Sequence, residues 1–329
     1  MMRLPKMDYA APATLSEACS LLGEHGERSR VLAGGTDLLV ACKLRNIKPS
    51  LLVSLGRITE LKGIQFDEKK GLRIGAMTTL NEVRYNPFVV KYYPALAEAA
   101  TAVGSTQLQY MGTLGGNLCL DNRCMYYNQS AQWRKSRAVC LKMGGDVCHV
   151  VQKRKKCCAV FSGDMPPALM AHDARVRLVG VNGERNAELK TLYTGDGKVP
   201  MNMEAGEILH EITLPPPVVR QGSMYLKYRG RGSIDFPLAG VAVRLDLTNG
   251  GICKDCRVVV NAVTSRPVSV LDAEDMLKGR TITEDLISRA VEQATKTAHP
   301  VLNILGATPS YRRKMIGIMT RRALLLLAN

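Results

Sequence analysis

The chain has 329 residues, with 45 lysines and arginines against 29 acidic residues, a net charge of +16 and an apolar fraction of 46%. That length admits two or three modest domains, and ordinary apolar content with mixed charge excludes wholesale disorder. No stretch approaches the ~18 uninterrupted apolar residues of a membrane-crossing helix. The opening MMRLPKMDYAAPATLSEACSLL lacks the apolar core and cleavage site of a secretion signal. The expected compartment is therefore the cytoplasm, with no membrane partner. The basic charge admits any anionic partner. With one Trp, four Phe and no basic run interleaved with stacking residues, nucleic acid is not an expected partner.

In chain order, TLSEACSLLGEHG has apolar residues at helical spacing, an N-cap at Thr14 and a stop at Gly26. SRVLAGGTDLLVACKLR reads as a short strand, a glycine turn and an amphipathic stretch. SLLVSLGRI is a further strand, completing the texture of a small α/β unit. LKGIQFDEKKGLRIGAMTTLNEV reads as a hairpin turning at EKKG and leading into a helix. YPALAEAATAVGS is a helix ending near Gly104, whereas the glycine-rich MGTLGGN is expected to be irregular. ALMAHDARVRLVGVNGERNAEL reads as strand, turn, strand around Asn182–Gly183. Pro215–Pro217 is the expected linker. Beyond it, AGVAVRLDLTNGGICKDCRVVVNAV forms a hairpin around Asn249–Gly251, and three helical stretches follow, ending in YRRKMIGIMTRRALLLL.

Two glycine loops carry the first chemical signal. VLAGGTDLL follows a strand and opens toward a helix, so N–H groups around Gly34 and Gly35 can point at an anion. GTLGGN, Gly112 to Asn117, offers a second amide cluster, and two such loops can hold a pyrophosphate between them. Neither is the G-x-G-x-x-G of a Rossmann fold, and a GG pair is commonly only a turn.

Taken in order, VLAGGTDLL, RIGAMTTLNEV, YMGTLGGNL, SGDMPPALMAHDARVRL, KYRGRGSIDFPLAGVAV and YRRKMIGIMTRRAL span nearly the whole chain. This series resembles the FAD-binding subunit of the xanthine dehydrogenase and molybdenum hydroxylase family. The resemblance implies an α/β (α+β) fold: a two-lobed FAD-binding domain, 1–57 and 58–217, and a C-terminal sheet-and-helix domain, 218–329. It implies FAD contacts from Ala33, Gly34, Gly35, Thr36 and Asp37, and from Thr113, Leu114, Gly115, Gly116 and Asn117. Asp164 falls where the family has an acidic flavin contact, and Lys227 matches a lysine near the isoalloxazine. A cation there can stabilise negative charge on reduced flavin.

Between GGNL and SGDMPPAL lies a further segment of roughly forty residues, 119–161, too long for a structureless loop without a function. It holds six of the ten cysteines: Cys119, Cys124, Cys140, Cys148, Cys157 and Cys158. In a reducing compartment, clustered thiols read as metal ligands or redox groups before disulfides. A metal centre would let so polar a segment fold. No C-x₂₋₄-C pair of the zinc-finger kind closes with a second one, and the ferredoxin run C-x₂-C-x₂-C-x₃-C is absent, so spacing leaves the metal open. Arg134, Lys135, Arg137, Lys142 and Lys153–Lys156 crowd the segment with Asp146 the one acid between Cys124 and Cys158, which suits a negatively charged cluster or an acidic docking partner.

The insertion itself resembles that of the 4-hydroxybenzoyl-CoA reductase branch of the family, whose flavin subunit carries a [4Fe–4S] cluster. The resemblance assigns Cys124, Cys140, Cys148 and Cys157 as ligands, with Cys119 and Cys158 as the possible exchanges. It implies an electron-transfer subunit without catalytic residues of its own, in a heterotrimer, doubled, with a molybdopterin-binding subunit and a [2Fe–2S] subunit. Electrons from reduced ferredoxin would reach molybdenum through [4Fe–4S], FAD and [2Fe–2S] for reductive dehydroxylation of 4-hydroxybenzoyl-CoA to benzoyl-CoA. Two rival readings stand beside it: the same role for another aromatic or heteroaromatic substrate, and a basic zinc-binding interaction module. The remaining C-x-x-C, Cys253–Cys256, reads as structural, and His149 as a loop residue rather than a ligand.

Overall fold

The computed structural model describes residues 3–302 and 307–328. Three sheets follow one another along the chain. The first is parallel, order β1-β3-β2, from β1 (Asp8–Ala10), β2 (Ser29–Leu32) and β3 (Leu51–Ser54), with α1 (Leu15–His25) and α2 (Leu38–Lys43) as crossovers. Helix α1 begins where Thr14 Oγ1 accepts the Glu17 N–H at 3.3 Å and ends at Gly26, φ +49°. Its apolar stripe, Leu15, Ala18, Cys19 and Leu22, packs on Leu51 and Val53, and Met77 and Ile208 of the next layer close the same core.

The second sheet is antiparallel, order β4-β5-β8-β6-β7. It contains β4 (Ile64–Asp67), β5 (Gly71–Gly75), β6 (Arg175–Gly180), β7 (Gly183–Glu188) and β8 (Ile208–Leu214). Between β5 and β6 run α3 (Leu80–Tyr85), α4 (Pro87–Tyr92), α5 (Pro94–Ala102), α6 (Thr106–Met111), α7 (Leu114–Leu118), α8 (Ala131–Lys135) and α9 (Met165–Ala171). The EKKG turn is set by Asp67, whose Oδ1 accepts the Lys69 and Lys70 N–H groups, each at 2.8 Å. One expectation is corrected: the ALMA of ALMAHDARVRL ends helix α9 instead of opening a strand. Pro166 near its N-terminus is pre-set for a helix, and Met165 to Ala171 are all buried.

The third sheet is antiparallel, order β12-β11-β10-β9. Its strands are β9 (Gln221–Tyr228), β10 (Ala239–Leu247), β11 (Cys253–Asn261) and β12 (Val268–Ser269), followed by α10 (Leu271–Leu277), α11 (Glu284–Thr297) and α12 (Pro309–Ala328). All nine residues of β10 are buried, because both faces of the sheet are covered. Tyr225, Ala242 and Val259 join the core of the second layer, while Val241, Val243 and Leu245 join that of α10–α12. Cys253 and Cys256 share this second core; a bulge opposite Asp246 and Leu247 turns both to the same face.

Arg312 of α12 is 1% exposed, and its guanidinium donates to the carbonyls of Leu238 at 2.7 Å, Val301 at 2.8 Å and Ala262. Burial pushes its pKa down to about 10. Leu238 precedes β10, Ala262 follows β11 and Val301 lies beyond α11, so Arg312→Ala leaves two buried acceptors and a half-buried one unpaired. The expected loss is about 3 kcal/mol, read from chemical denaturation.

Candidate flavin site and cysteine insertion

Strand β2 delivers the chain to Ala33–Asp37 at the carboxyl end of the parallel sheet, where α/β folds place ligands. Gly35 adopts φ +70°, which suits glycine, and the Gly34, Gly35 and Thr36 N–H groups have no protein acceptor among the described residues. Gly34 lies against the second loop. A Cβ there would sit 1.8 Å from the Met111 carbonyl oxygen and 3.1 Å from Gly112 Cα. Beside Gly116, a Cβ would fall 3.8 Å from Ala33 Cβ. The two loops separated by some eighty positions in sequence thus meet, as the pyrophosphate argument requires.

The second loop departs from the sequence reading in two respects. Leu114 to Leu118, expected to be irregular, form the helical turn α7, capped by Thr113, whose Oγ1 accepts the Gly116 N–H at 3.1 Å. Tertiary packing overrides glycine propensity here, since a Cβ on Gly115 would come 2.8 Å from Ala76 Cβ. The amides are also not a free cluster. Leu114 N–H donates to Thr78 at 2.9 Å and Gly115 N–H to Ala76 at 2.8 Å. What this loop presents is the exposed Gly116 and half-buried Asn117, whose Oδ1 accepts the Met165 N–H at 3.0 Å. Free amides on one side and an exposed glycine on the other fit a pyrophosphate.

Asp164 and Lys227, far apart in sequence, form a buried pair. Lys227 Nζ donates to Asp164 Oδ2 at 2.9 Å and to the Ala102 carbonyl at 2.8 Å, and each side chain is 4% exposed. Tyr225 donates its hydroxyl to Asp164 Oδ1 at 2.7 Å. Burial raises the pKa of Asp164, opposed by Lys227 and the Tyr225 hydrogen bond; burial lowers that of Lys227, opposed by Asp164. Tyr225 escaped the sequence reading, although it stands two residues before Lys227 and a strand puts such residues on one face. His172 is a core residue, bonded through Nε2 to Ser223 Oγ at 3.0 Å, its pKa pushed down to about 3 by burial and by Arg244.

The insertion is tied to its surroundings by polar contacts. Asn122 donates to the Ala159 and Ser265 carbonyls, each at 2.8 Å, and the Cys157 N–H donates to Asp196 Oδ1 at 3.1 Å. Arg134 and Lys142 correct the expectation that the basic residues all face a cluster or a partner. Arg134 bonds the carbonyls of Gln129, Leu44 and Arg45, fastening the insertion to the end of α2. Lys142 is 5% exposed, paired with Asp121 at 2.7 Å and bonded to the Gly197 carbonyl. Lys135, Arg137 and Lys153–Lys156 are exposed.

Within the insertion, Cys148 and Cys158 approach to 3.5 Å between sulfurs. Backbone N–H groups point at three thiols: Tyr126 to Cys124 at 3.5 Å, Val151 to Cys148 at 3.4 Å and Ala159 to Cys157 at 3.4 Å. Such N–H···S bonds hold thiolates and tune cluster potentials. Burial raises the pKa of Cys124, takes Cys157 up to about 11 and Cys158 up to about 12, and neighbouring thiolates add to all three. Burial opposes ionisation of Cys148 too, yet the Val151 and Val150 amides, Cys158 and Arg154 hold its pKa below the ordinary thiol value. Mutual repulsion of this kind is what a bound cation would relieve. Among the described residues no three ligating side chains converge on one point, so neither a zinc ion nor a cluster finds a preformed site. Cys119 stands exposed at the end of α7, and His149 bonds the Ala138 carbonyl at 2.8 Å.

The family described as FAD binding domain in molybdopterin dehydrogenase matches residues 5–217, and the CO dehydrogenase flavoprotein C-terminal domain matches 224–327. The carbon monoxide dehydrogenase medium chain of Afipia carboxidovorans is 29% identical, covering 96% of this chain and 94% of its own. The nicotine 6-hydroxylase medium subunit of Paenarthrobacter nicotinovorans is 28% identical over 98% of each. Among solved structures, the Cu,Mo-CO dehydrogenase superposes with a TM-score of 0.82 at 28% identity over 99% of both chains. Quinoline 2-oxidoreductase from Pseudomonas putida 86 gives 0.79 at 26% identity, over 99% of this chain and 98% of that one. The fold and its opposed glycine loops are those of an FAD-binding oxidoreductase subunit. This chain belongs to the FAD-binding subunits of the molybdenum hydroxylases, the family of CO dehydrogenase and xanthine dehydrogenase. It serves there as the electron-transfer subunit that binds FAD. No described helix is long and apolar enough to cross a membrane.

Proposed function

We propose that this chain passes electrons between a [4Fe–4S] cluster in the insertion and FAD, in a cytoplasmic molybdenum enzyme that removes the phenolic hydroxyl of 4-hydroxybenzoyl-CoA. The proposed units are 1–57 and 58–217 for FAD, with 119–161 as the cluster insertion, and 218–329 as the C-terminal domain. Partner subunits supply molybdopterin and [2Fe–2S], and reduced ferredoxin is the donor. FAD and the cluster together supply a junction between one-electron and two-electron carriers. The observation that carries the reading is the group of thiols with peptide N–H groups aimed at their sulfurs, seated beside the flavin lobe.

The chain's own residues supply the surroundings. Ala33–Asp37 bind the pyrophosphate through free amides while Thr113–Asn117 close the opposite side. Leu114 and Gly115 act by packing, Gly116 and Asn117 by facing the cofactor. Lys227, held by Asp164, stands at the isoalloxazine end as a fixed, paired charge. Cys124, Cys140 and Cys148 are cluster ligands, and Cys157 the fourth. Cys158, 3.5 Å from Cys148, is the exchange candidate that the geometry favours over Cys119.

The test is anoxic purification of the complex, with iron, sulfide and flavin analysis and low-temperature EPR after dithionite. Cys140→Ser should remove one cluster signal beyond the [2Fe–2S] centres and about four irons, while flavin remains. Flavin with no such signal in the unaltered complex would end the cluster reading. A second reading keeps the role and changes the substrate to another aromatic or heteroaromatic compound; the nicotine and quinoline enzymes among the relatives favour it. Turnover of the purified complex with 4-hydroxybenzoyl-CoA separates the two.

A further inference from the structure

Arg123 is where three separate parts of the chain meet. Its backbone N–H and C=O pair with Val160, both at 2.8 Å, closing the neck of the insertion. Its guanidinium donates to Asp37 Oδ1 at 3.0 Å in the first glycine loop. The same group lies 4.1 Å from the centre of the Phe236 ring, in the loop between β9 and β10. The next residue is Cys124. Asp37 and Arg123 are 30% and 28% exposed, sheltered enough for the ion pair and the ring contact to exceed ordinary surface contacts.

We propose that Arg123 couples the flavin loop to the cysteine insertion, so that FAD bound at Ala33–Asp37 and an ordered insertion stabilise each other. The physical route is short. An ordered neck fixes the Arg123 backbone; its side chain then fixes Asp37 at the end of the loop whose amides lack protein acceptors. A loop already ordered costs less entropy to bind, and linkage makes the effect reciprocal. Arg123 is thus a positioning residue. The inference rests on the proposed placement of FAD, and does not need the insertion to carry iron.

The experiment uses the whole complex, with and without FAD, in the unaltered form and as Arg123→Ala and Arg123→Lys. Trypsin cleavage at the exposed Lys153–Lys156 run reports order in the insertion, and quenching of flavin fluorescence reports the FAD Kd. FAD should slow cleavage about tenfold in the unaltered complex, equivalent to about 1.4 kcal/mol of coupling. Arg123→Ala should abolish this protection and weaken FAD about tenfold, with Arg123→Lys partly restoring both, since it keeps the charge without the planar fork. Equal protection in Arg123→Ala, or none in the unaltered complex, overturns the coupling. If Arg123→Ala fails to fold, Phe236→Leu, outside both glycine loops, must weaken the protection; unchanged protection overturns the proposal equally. Iron measured in the same samples separates the two readings. Extra iron without FAD protection sinks the coupling alone, and Arg123-dependent protection without extra iron sinks the cluster alone.

Discussion

Gly34→Ala should yield a folded complex that has lost its flavin. The added methyl group would lie 1.8 Å from the Met111 carbonyl oxygen and 2.7 Å from its carbonyl carbon, so both sides of the clash are backbone and no side chain can rotate away. The two glycine loops must separate by an ångström or more, at a cost of about 3 kcal/mol spent at the mouth of the site. We expect at least about a hundredfold weaker FAD binding, the factor that about 2.7 kcal/mol represents. Gly116→Ala is the informative companion. Its methyl would meet Thr113 Oγ1 at 3.0 Å and Ala33 Cβ at 3.8 Å, which small shifts accommodate, and the residue is exposed. Unfolding should barely change there, while FAD affinity falls because the methyl enters the space assigned to the cofactor. Unaltered flavin retention in both variants would remove the pyrophosphate from between the loops.

Asp164→Asn should destabilise the protein more than any surface substitution. It removes the carboxylate paired with the Lys227 ammonium, 4% exposed, leaving it neutral acceptors, the new amide oxygen and the Ala102 carbonyl. Breaking a buried pair from one side costs about 3–5 kcal/mol, because the survivor is an uncompensated charge. Lys227→Met makes the converse error, although Asp164, with its pKa already raised by burial, can take up a proton and soften the loss. The double variant Asp164→Asn/Lys227→Met removes both charges, so it should be less destabilised than the sum of the singles by about 2 kcal/mol or more. Denaturant unfolding of the four proteins measures the cycle, and additive losses would mean that the two groups do not act as a pair.

Much of the fold was readable from local pattern. The Thr14 cap, the Gly26 stop, the EKKG turn and the Asn249–Gly251 hairpin all occur where sequence chemistry puts them, because each depends on groups within a few residues. The ordered series of motifs was equally legible and led to the right family. Two local readings failed for one physical reason. LGGN, expected to be irregular, and ALMA, expected to open a strand, are helical because packing against Ala76, and burial of all of Met165 to Ala171, outweigh glycine propensity and apolar texture.

What the sequence determined by itself, then, was the locally specified elements, the family and the residue types of both candidate sites. Only the tertiary structure decided which of these residues face one another. It joined Gly34 to Met111, closed Asp164 on Lys227 and on the strand neighbour Tyr225, and brought Cys148 to Cys158. It also withdrew Arg134 and Lys142 from the basic surface by giving them carbonyl and carboxylate partners. The division follows from range. Caps and turns are settled by contacts a few residues apart, whereas ion pairs, loop-on-loop contacts and thiol groupings join positions tens of residues apart, and their geometry exists only once the sheets have packed.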